Sequence, residues 1–364
     1  MQTDMKVHTM DCTNAFLQRN FEDSEIVYIT VLKGIELVHP QHSNSICRVL
    51  KPIHGLRQVH VVGIKHLQIF FTIYANFIIS EFDSCVLFTY NPSLIIILLY
   101  VDDIMIISQN DTVIEKLKQR ILSRFEAKDY GPMIEHTEYI GLEFAVKNNE
   151  IIVNQEMRIK KLIEKYSSLC LVPKKNIIIP KGEVVESDYL NEKQHSDFRK
   201  IVGKLSYISN LSRPDITFSV NYLQRVLEKP SKCHLSIVLN IISYLIKFPD
   251  LSINFKKSKY HPLEVYCDAS YASSKDAHST TGIIIMVYGA PVYWATKKQS
   301  MISLLSSEAE VKACVEAEMR NNLKYVVTSE QLADVLTKQV STDKLHRLFG
   351  YVNVNETEGG NVKY

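Results

Sequence analysis

Residues 94–108 read LIIILLYVDDIMIIS, two apolar, β-branched-rich runs broken only by Asp102-Asp103. Runs of this length and composition, separated by two residues, predict a β-hairpin whose two-residue tip is Asp102-Asp103. Neighbouring side chains on a strand point to opposite faces, so two adjacent aspartates can converge on one ion only where the chain turns. Carboxylates held there by buried strands are costly unless a cation or solvent compensates them. Mg²⁺ suits such hard oxygen ligands and is commonly held by one or two carboxylates plus substrate phosphates. The alternative reading is a solvated Asp-Asp turn, a weaker hairpin signal than Asn-Gly or Asp-Gly.

Outward from this segment the chain alternates short strands and helices. Residues 5–17 predict a strand and a helix start. Residues 46–58 predict a short element and a turn at Pro52 and Gly55, and residues 64–80 a buried helix. Residues 112–126 have helical spacing, and residues 139–153 predict a second hairpin turning at Asn148-Asn149. Residues 155–172 are helical in pattern, 173–190 read as a linker, and 197–247 as helices broken near Pro214 and Pro230. Three strand-like runs begin at Leu263. A helix from Ser307, a short LKYVV strand and a helix from Ser329 follow. Hairpins and helices in this succession predict an α+β fold rather than a doubly wound parallel sheet.

Composition narrows the function classes. The 364 residues fit two or three domains. At 46% hydrophobic and 23% charged the chain belongs with folded proteins rather than disordered ones. Forty-two Lys and Arg against 40 Asp and Glu leave +2, so any nucleic-acid binding must come from local patches; the lysines of 159–165 and 255–259 are candidates for phosphate contact, with solvated faces as their default reading. Seven scattered cysteines without a Cys-x-x-Cys pair argue against a disulfide framework or thiolate zinc site and for a reducing compartment. The N-terminus has no signal-peptide pattern, and the longest apolar run, Leu94–Val101, is eight residues, against about 20 for a membrane helix.

Five segments in order carry a resemblance. MDCTNAFL (residues 10–17), LKPIHGLRQ (50–58), FDSCVLF (82–88), YVDD (100–103) and YIGLEF (139–144) resemble the boxes of copia-type retrotransposon reverse transcriptases. Further on, EVYCDASYA (264–272), SSEAEVKA (306–313) and SEQLADVLTK (329–338) resemble the ribonuclease H of the same polyproteins. The resemblance implies a reverse-transcriptase palm at 1–154, thumb and connection helices with a linker at 155–260, an incomplete ribonuclease H-like domain at 261–350, and a tail at 351–364.

It also implies roles. Asp11, Asp102 and Asp103 would be catalytic and hold Mg²⁺, with Mn²⁺ as the substitute. Phe16, Gln58 and Tyr100 would lie by the nucleotide. Tyr139, Gly141 and Glu143 would belong to the primer grip. Asp268, Glu310 and Asp334 would be the ribonuclease H remnant, although Ser307 and Glu310 also fit an S-x-x-E capping box. Implied partners are an RNA template, a DNA primer, deoxynucleoside triphosphates and other retrotransposon proteins, with no membrane. The implied location is intracellular, in the cytoplasm or a virus-like particle with nuclear access.

Departures accompany the resemblance. Ten residues precede Asp11, where the family has a fingers subdomain. Gln58 is followed by Val59-His60-Val61-Val62 instead of the family's Ala-Pro-Arg and Trp. Ten residues, Val315–Lys324, stand where the family has an aspartate-bearing strand and helices. The expectation is an RNA-directed DNA polymerase of weak or no activity with ribonuclease H activity lost. The rival readings are a non-catalytic nucleic-acid-binding remnant and a decayed transposon product.

Overall fold

The computed structural model of the chain describes residues 5–13, 26–30, 46–51, 59–133, 137–147, 150–166, 189–255, 263–273, 276–317, 326–327, 330–340 and 352–353. The chain clusters into two compact units, Met1–Ile134 and Glu135–Tyr364. Both mix helices with antiparallel strands, as an α+β chain should.

The first unit runs β1 (Lys6–Cys12), β2 (Val27–Thr30), β3 (Ile46–Val49), α1 (Val59–Ile69), β4 (Ile78–Ile79), β5 (Val86–Thr89), β6 (Ile95–Tyr100), β7 (Asp103–Ser108), α2 (Asp111–Arg124) and β8 (Ala127–Pro132). Six strands form one sheet in the order β4-β5-β6-β7-β1-β8, while β2 and β3 pair with each other. Every second residue of β6 is buried, Ile95, Ile97 and Leu99, the period-2 pattern of a strand with one face on the core. Helix α2 covers that core with Ile114, Leu117 and Ile121, spaced for one helical face. Its N-cap is Asn110, whose side chain accepts from the Thr112 N–H at 2.9 Å, an arrangement that stabilises a helix by about 1 kcal/mol.

Two expectations change here. The helix predicted over 64–80 ends at Ile69, continues as a π turn over Phe70–Tyr74, and gives way to β4. Phe70 and Phe71 are buried, so the apolar spacing was legible while the wider turn and the strand were not. The hairpin tip is Val101-Asp102, and Asp103 opens β7 opposite Tyr100. The tip expected at Asp102-Asp103 is therefore one residue early in the structure.

The second unit runs β9 (Thr137–Tyr139), β10 (Leu142–Lys147), β11 (Glu150–Asn154), α3 (Glu156–Tyr166), α4 (Glu192–Leu211), α5 (Thr217–Gln224), α6 (Lys232–Lys247), β12 (Leu251–Phe255), β13 (Leu263–Ser270), β14 (Thr280–Val287), β15 (Ala290–Lys298), α7 (Ser306–Glu316), α8 (Asp334–Thr337) and β16 (Val352–Asn353). One sheet has the order β16-β12-β11-β10-β9, the other β13-β14-β15. The pairing of β11 with β12 ties residues 137–154 to the helices that follow. The unit boundary consequently falls after Ile134 rather than after residue 154. Val352 and Asn353, placed in a tail by sequence, pair with β12. The helices expected over 197–247 are present, and the breaks fall where Pro214 and Pro230 stand.

Helices α3 to α6 share one core that includes Ile159, Leu205, Ile208, Val220 and Ile241. A polar knot sits in it. Arg213 is fully buried, grips both carboxylate oxygens of Asp215, and donates to the Phe248 carbonyl at 2.8 Å. The Tyr244 hydroxyl donates to the same aspartate at 2.8 Å. Bidentate pairing of this kind fixes orientation, and here it joins the end of α4 to α5 and α6. Trp294 is buried and donates its indole N–H to the Ser209 carbonyl at 2.7 Å, holding β15 to α4.

Candidate catalytic carboxylates and basic groove

In the first unit, Asp11 of β1 lies directly opposite Asp103 of β7. Directly opposed residues project from the same sheet face. Met10 and Ile104, their opposed neighbours, are buried on the core face, so the two aspartates share the other one. The tip brings the third carboxylate. The Cys12 N–H donates to the Asp102 carbonyl at 2.8 Å, pinning the turn to β1. Val101 takes φ 56, an outlier for a β-branched residue that costs about 1–3 kcal/mol. The hairpin thus holds a strained, rigid tip beside three carboxylates.

The electrostatics follow from that crowding. Burial, then the charges of Asp11 and Asp102, hold the Asp103 carboxyl above its usual range. Burial, then the same pair, push the Cys12 thiol up to about 12. Tyr100 is half exposed at the end of β6, beside the tip. Phe16 and Gln58 lie outside the described residues.

In the second unit, Tyr139, Gly141 and Glu143 lie on the β9–β10 hairpin. Its tip is Ile140-Gly141, with both residues at positive φ, 52 and 71, the signature of a type I′ turn. The tip is held from below. The Tyr207 hydroxyl donates to the Ile140 carbonyl at 3.1 Å and Gln155 to the Gly141 carbonyl at 3.1 Å. A Cβ on Gly141 would stand 2.7 Å from the Tyr207 hydroxyl and 2.9 Å from Arg158. Glu143 accepts the Met157 N–H at 2.7 Å at the start of α3. Burial raises its carboxyl, with that hydrogen bond opposing. Tyr139 is buried.

Beside this hairpin, α3 and α4 enclose a groove of about 450 Å³ lined by Arg158, Lys161, Lys200, Lys204 and Tyr207, with the buried Leu162 and Ile208 also in its lining. The Arg158 guanidinium lies 4.7 Å from the centre of the Tyr207 ring. The sequence points to the lysines of α3 and to those of 255–259, which lie outside the described residues. It does not show the partners of the α3 lysines on α4, because the two helices meet only through tertiary packing.

The structure also brings Asp268, Glu310 and Asp334 together. Asp268 on β13 accepts from the Thr337 hydroxyl of α8. Burial raises its carboxyl, the Thr337 bond lowers it, and the Asp334 carboxyl raises it again. Glu310 accepts the Ala269 N–H at 3.1 Å. Burial, then the Asp268 charge, push Glu310 up to about 7. The Lys338 ammonium lies 2.8 Å from Asp334. The capping box expected from Ser307 and Glu310 does not form. Helix α7 starts at Ser306 with Leu305 as N-cap, and Glu308 receives the Leu304 N–H instead. With Leu305 as N-cap, Glu310 sits two residues further into the helix than a capping box from Ser307 requires, and its carboxylate reaches β13 instead.

Residues 1–180 match the reverse transcriptase (RNA-dependent DNA polymerase) family. The chain is 28% identical over 309 residues to the retrovirus-related Pol polyprotein from transposon RE1 of Arabidopsis thaliana, covering 84% of this chain and 20% of that protein. It is 27% identical over 324 residues to the Pol polyprotein from transposon TNT 1-94 of Nicotiana tabacum, covering 86% and 24%. A shorter relative, the transposon Ty5-1 protein YCL074W of Saccharomyces cerevisiae, is 25% identical over 314 residues, covering 85% and 99%. The chain belongs to the copia-type retrotransposon Pol family. This Pol segment spans about a fifth of the length of the RE1 polyprotein.

Asp11, Asp102, Asp103, Tyr100, Tyr139, Gly141 and Glu143 of the Pol segment all lie within the reverse transcriptase match, and Asp268, Glu310 and Asp334 beyond it. Among the described residues no group of three or more His, Cys, Asp and Glu is arranged to hold a metal ion, and no helix is long and apolar enough to cross a membrane. The Asp11–Asp103 face still fits Mg²⁺ by its chemistry. It offers hard carboxylate oxygens whose mutual repulsion already raises Asp103, and Mg²⁺ needs only one or two protein carboxylates when phosphates supply the rest. The second trio does not fit in this arrangement. Its oxygens are engaged by Thr337, the Ala269 N–H and Lys338.

Proposed function

We propose that this Pol segment carries the palm of an RNA-directed DNA polymerase of low activity, with a ribonuclease H-like region that does not cleave. The single observation behind the first half is the register that sets Asp11 opposite Asp103 beside the Asp102 tip. Asp11 and Asp102 would be the principal holders of Mg²⁺, with Asp103 completing the set. Held by those carboxylates, Mg²⁺ would supply activation of the primer 3′-hydroxyl and charge compensation at the nucleotide phosphates. The chain's own part is positioning. The strained tip fixes the carboxylates and Tyr100 sits at the nucleotide side; in the second unit, taken by itself, the Ile140-Gly141 tip with Tyr139 and Glu143 would be the primer grip that the resemblance implies. Low activity follows from the altered sequence after Gln58, since positioning supplies several kcal/mol of a transfer barrier.

The ribonuclease H-like half is supported by Asp268, Glu310 and Asp334 meeting on strand and helices. Loss of cleavage is supported by Lys338 and Thr337 engaging the same carboxylates. A second reading, nucleic-acid binding without chemistry, is favoured by the groove of Arg158, Lys161, Lys200 and Lys204, since cations on two adjacent helices can track phosphates.

Primer extension on an RNA template, with Asp102→Asn as control, tests the polymerase reading. Extension above the control supports it, and extension equal to the control sinks it. In that second case, affinity for an RNA–DNA hybrid that falls steeply with salt leaves the binding reading standing.

A further inference from the structure

Cys267 lies on β13, one residue before Asp268. Cys314 lies on α7, four residues after Glu310. They are 47 positions apart in sequence, and their Sγ atoms are 3.3 Å apart. Both are half-buried, so small reagents can reach them. Cys12, in contrast, is buried. A disulfide needs its sulfurs about 2.05 Å apart, and side-chain rotation on two elements that already pack together closes the remaining gap. Strand β13 hydrogen-bonds to β14 along one side, and α7 packs across it. A covalent link here would lock the strand of Asp268 to the helix of Glu310.

We propose that Cys267 and Cys314 form a reversible modification site, a disulfide made by exchange with a small-molecule disulfide of the glutathione type. One protein thiolate attacks the small disulfide, breaking its S–S bond, forming a mixed disulfide and releasing one thiolate. The second protein thiolate attacks the protein-side sulfur of the mixed disulfide and expels the other half. The two cysteine sulfurs are oxidised and the small disulfide is reduced to two thiols. The protons of the two cysteines end on those released thiols. Burial, then the bond with Cys314, push the Cys267 thiol up to about 12, so the exchange is slow at neutral pH and quickens as pH rises. The pairing rests on the geometry of the second unit and is independent of any polymerase or nuclease activity.

The test uses the full chain with oxidised glutathione at mildly alkaline pH, under native conditions and in denaturant, followed by thiol blocking and non-reducing peptide mapping. Under native conditions the peptides bearing Cys267 and Cys314 should be joined, with the mass of two hydrogens lost. Their link should exceed its yield in denaturant by at least about tenfold, reflecting the high effective concentration of two sulfurs held together. Cys314→Ser should remove the link, and dithiothreitol should reverse it. Recovery of the two cysteines as separate glutathione adducts or blocked thiols overturns the proposal. So does an identical set of pairings with and without denaturant.

Discussion

Among the described residues, the two candidate clusters of carboxylates, one in each unit, stand in opposite electrostatic surroundings. Around Asp103 burial and both neighbouring aspartates all push in one direction, toward protonation. Around Asp268 and Glu310 the same pressures are opposed by the Thr337 hydroxyl, the Ala269 N–H and the Lys338 ammonium. A cluster that keeps its repulsion invites a cation from outside. A cluster that recruits a lysine and a hydroxyl from its own helix has supplied that charge itself. Convergence of acidic side chains is therefore a poor marker of a metal centre unless the neighbours are read too.

The sharpest way to break the comparison is catalytic. Asp11→Asn should lower primer extension by about 10²–10³-fold, the loss expected when charge stabilisation worth several kcal/mol leaves a transfer site. Asp268→Asn should leave cleavage of an RNA–DNA hybrid where the unaltered chain has it, at background. Extension that survives Asp11→Asn, or hybrid cleavage that depends on Asp268, would erase the distinction between the clusters.

Lys338 gives the next test, on stability. It is half exposed while its partner Asp334 is buried. Removing a partner from a buried charge costs several kcal/mol when both are dry, and solvent at the lysine discounts this. Lys338→Ala should therefore cost about 1–2 kcal/mol in urea unfolding of the full chain at low salt. Added Mg²⁺ should restore part of that loss, because the three carboxylates then lack their internal cation. A variant as stable as the parent and indifferent to Mg²⁺ would show that Lys338 is not what satisfies the trio.

Much of this architecture is legible in the sequence, and the gaps have physical causes. The apolar runs on either side of Asp102 specified a hairpin. They could not specify its tip, because the choice between Val101-Asp102 and Asp102-Asp103 is settled by pairing with β1 some 90 residues earlier. That one-residue difference matters, since a slip of one turns every side chain to the other face. It is what places Asp103 in the strand, on the face of Asp11. Asp268, Glu310 and Asp334 were each visible, while the environment of Glu310 was not. Lys338, four residues after Asp334, carried an i,i+4 signal that could have been read. Thr337 on Asp268, Cys267 beside Cys314, and Val352 on β12 are all long-range, and no local pattern announces them.

The pH dependence of the second cluster follows from Glu310. Its usual value is 4.5 and the folded chain raises it to about 7. Below the lower value both states carry the proton and the contribution to stability is full. As pH rises the unfolded chain releases its proton first, so this contribution is lost between about 4.5 and 7 and then stays flat. Glu310→Gln should remove that slope, leaving the variant more stable than the parent above pH 7 by about 1–2 kcal/mol once solvent screening is allowed for. Urea melts of both proteins at several pH values read it directly. Parallel curves would mean that Glu310 keeps its ordinary acidity and that the Asp268 charge does not reach it.

The smallest effect probes the first cluster without chemistry. Asp11 and Asp103 are like charges directly opposed across two strands, a pairing that destabilises a sheet. Asp103→Asn keeps the shape and removes one charge, so the first unit should gain about 0.5 kcal/mol at pH 7. The gain should vanish as pH falls, because the raised Asp103 carboxyl takes up its proton early and the parent is then neutral there too. Mg²⁺ should stabilise the parent more than the variant, reversing their order at high metal. A face that evolved only to fold would have no reason to keep a pair whose removal makes it more stable. If Asp103→Asn instead lowers stability at every pH, the opposed aspartates are a structural pair. The contrast with the lysine-satisfied trio then loses its functional meaning.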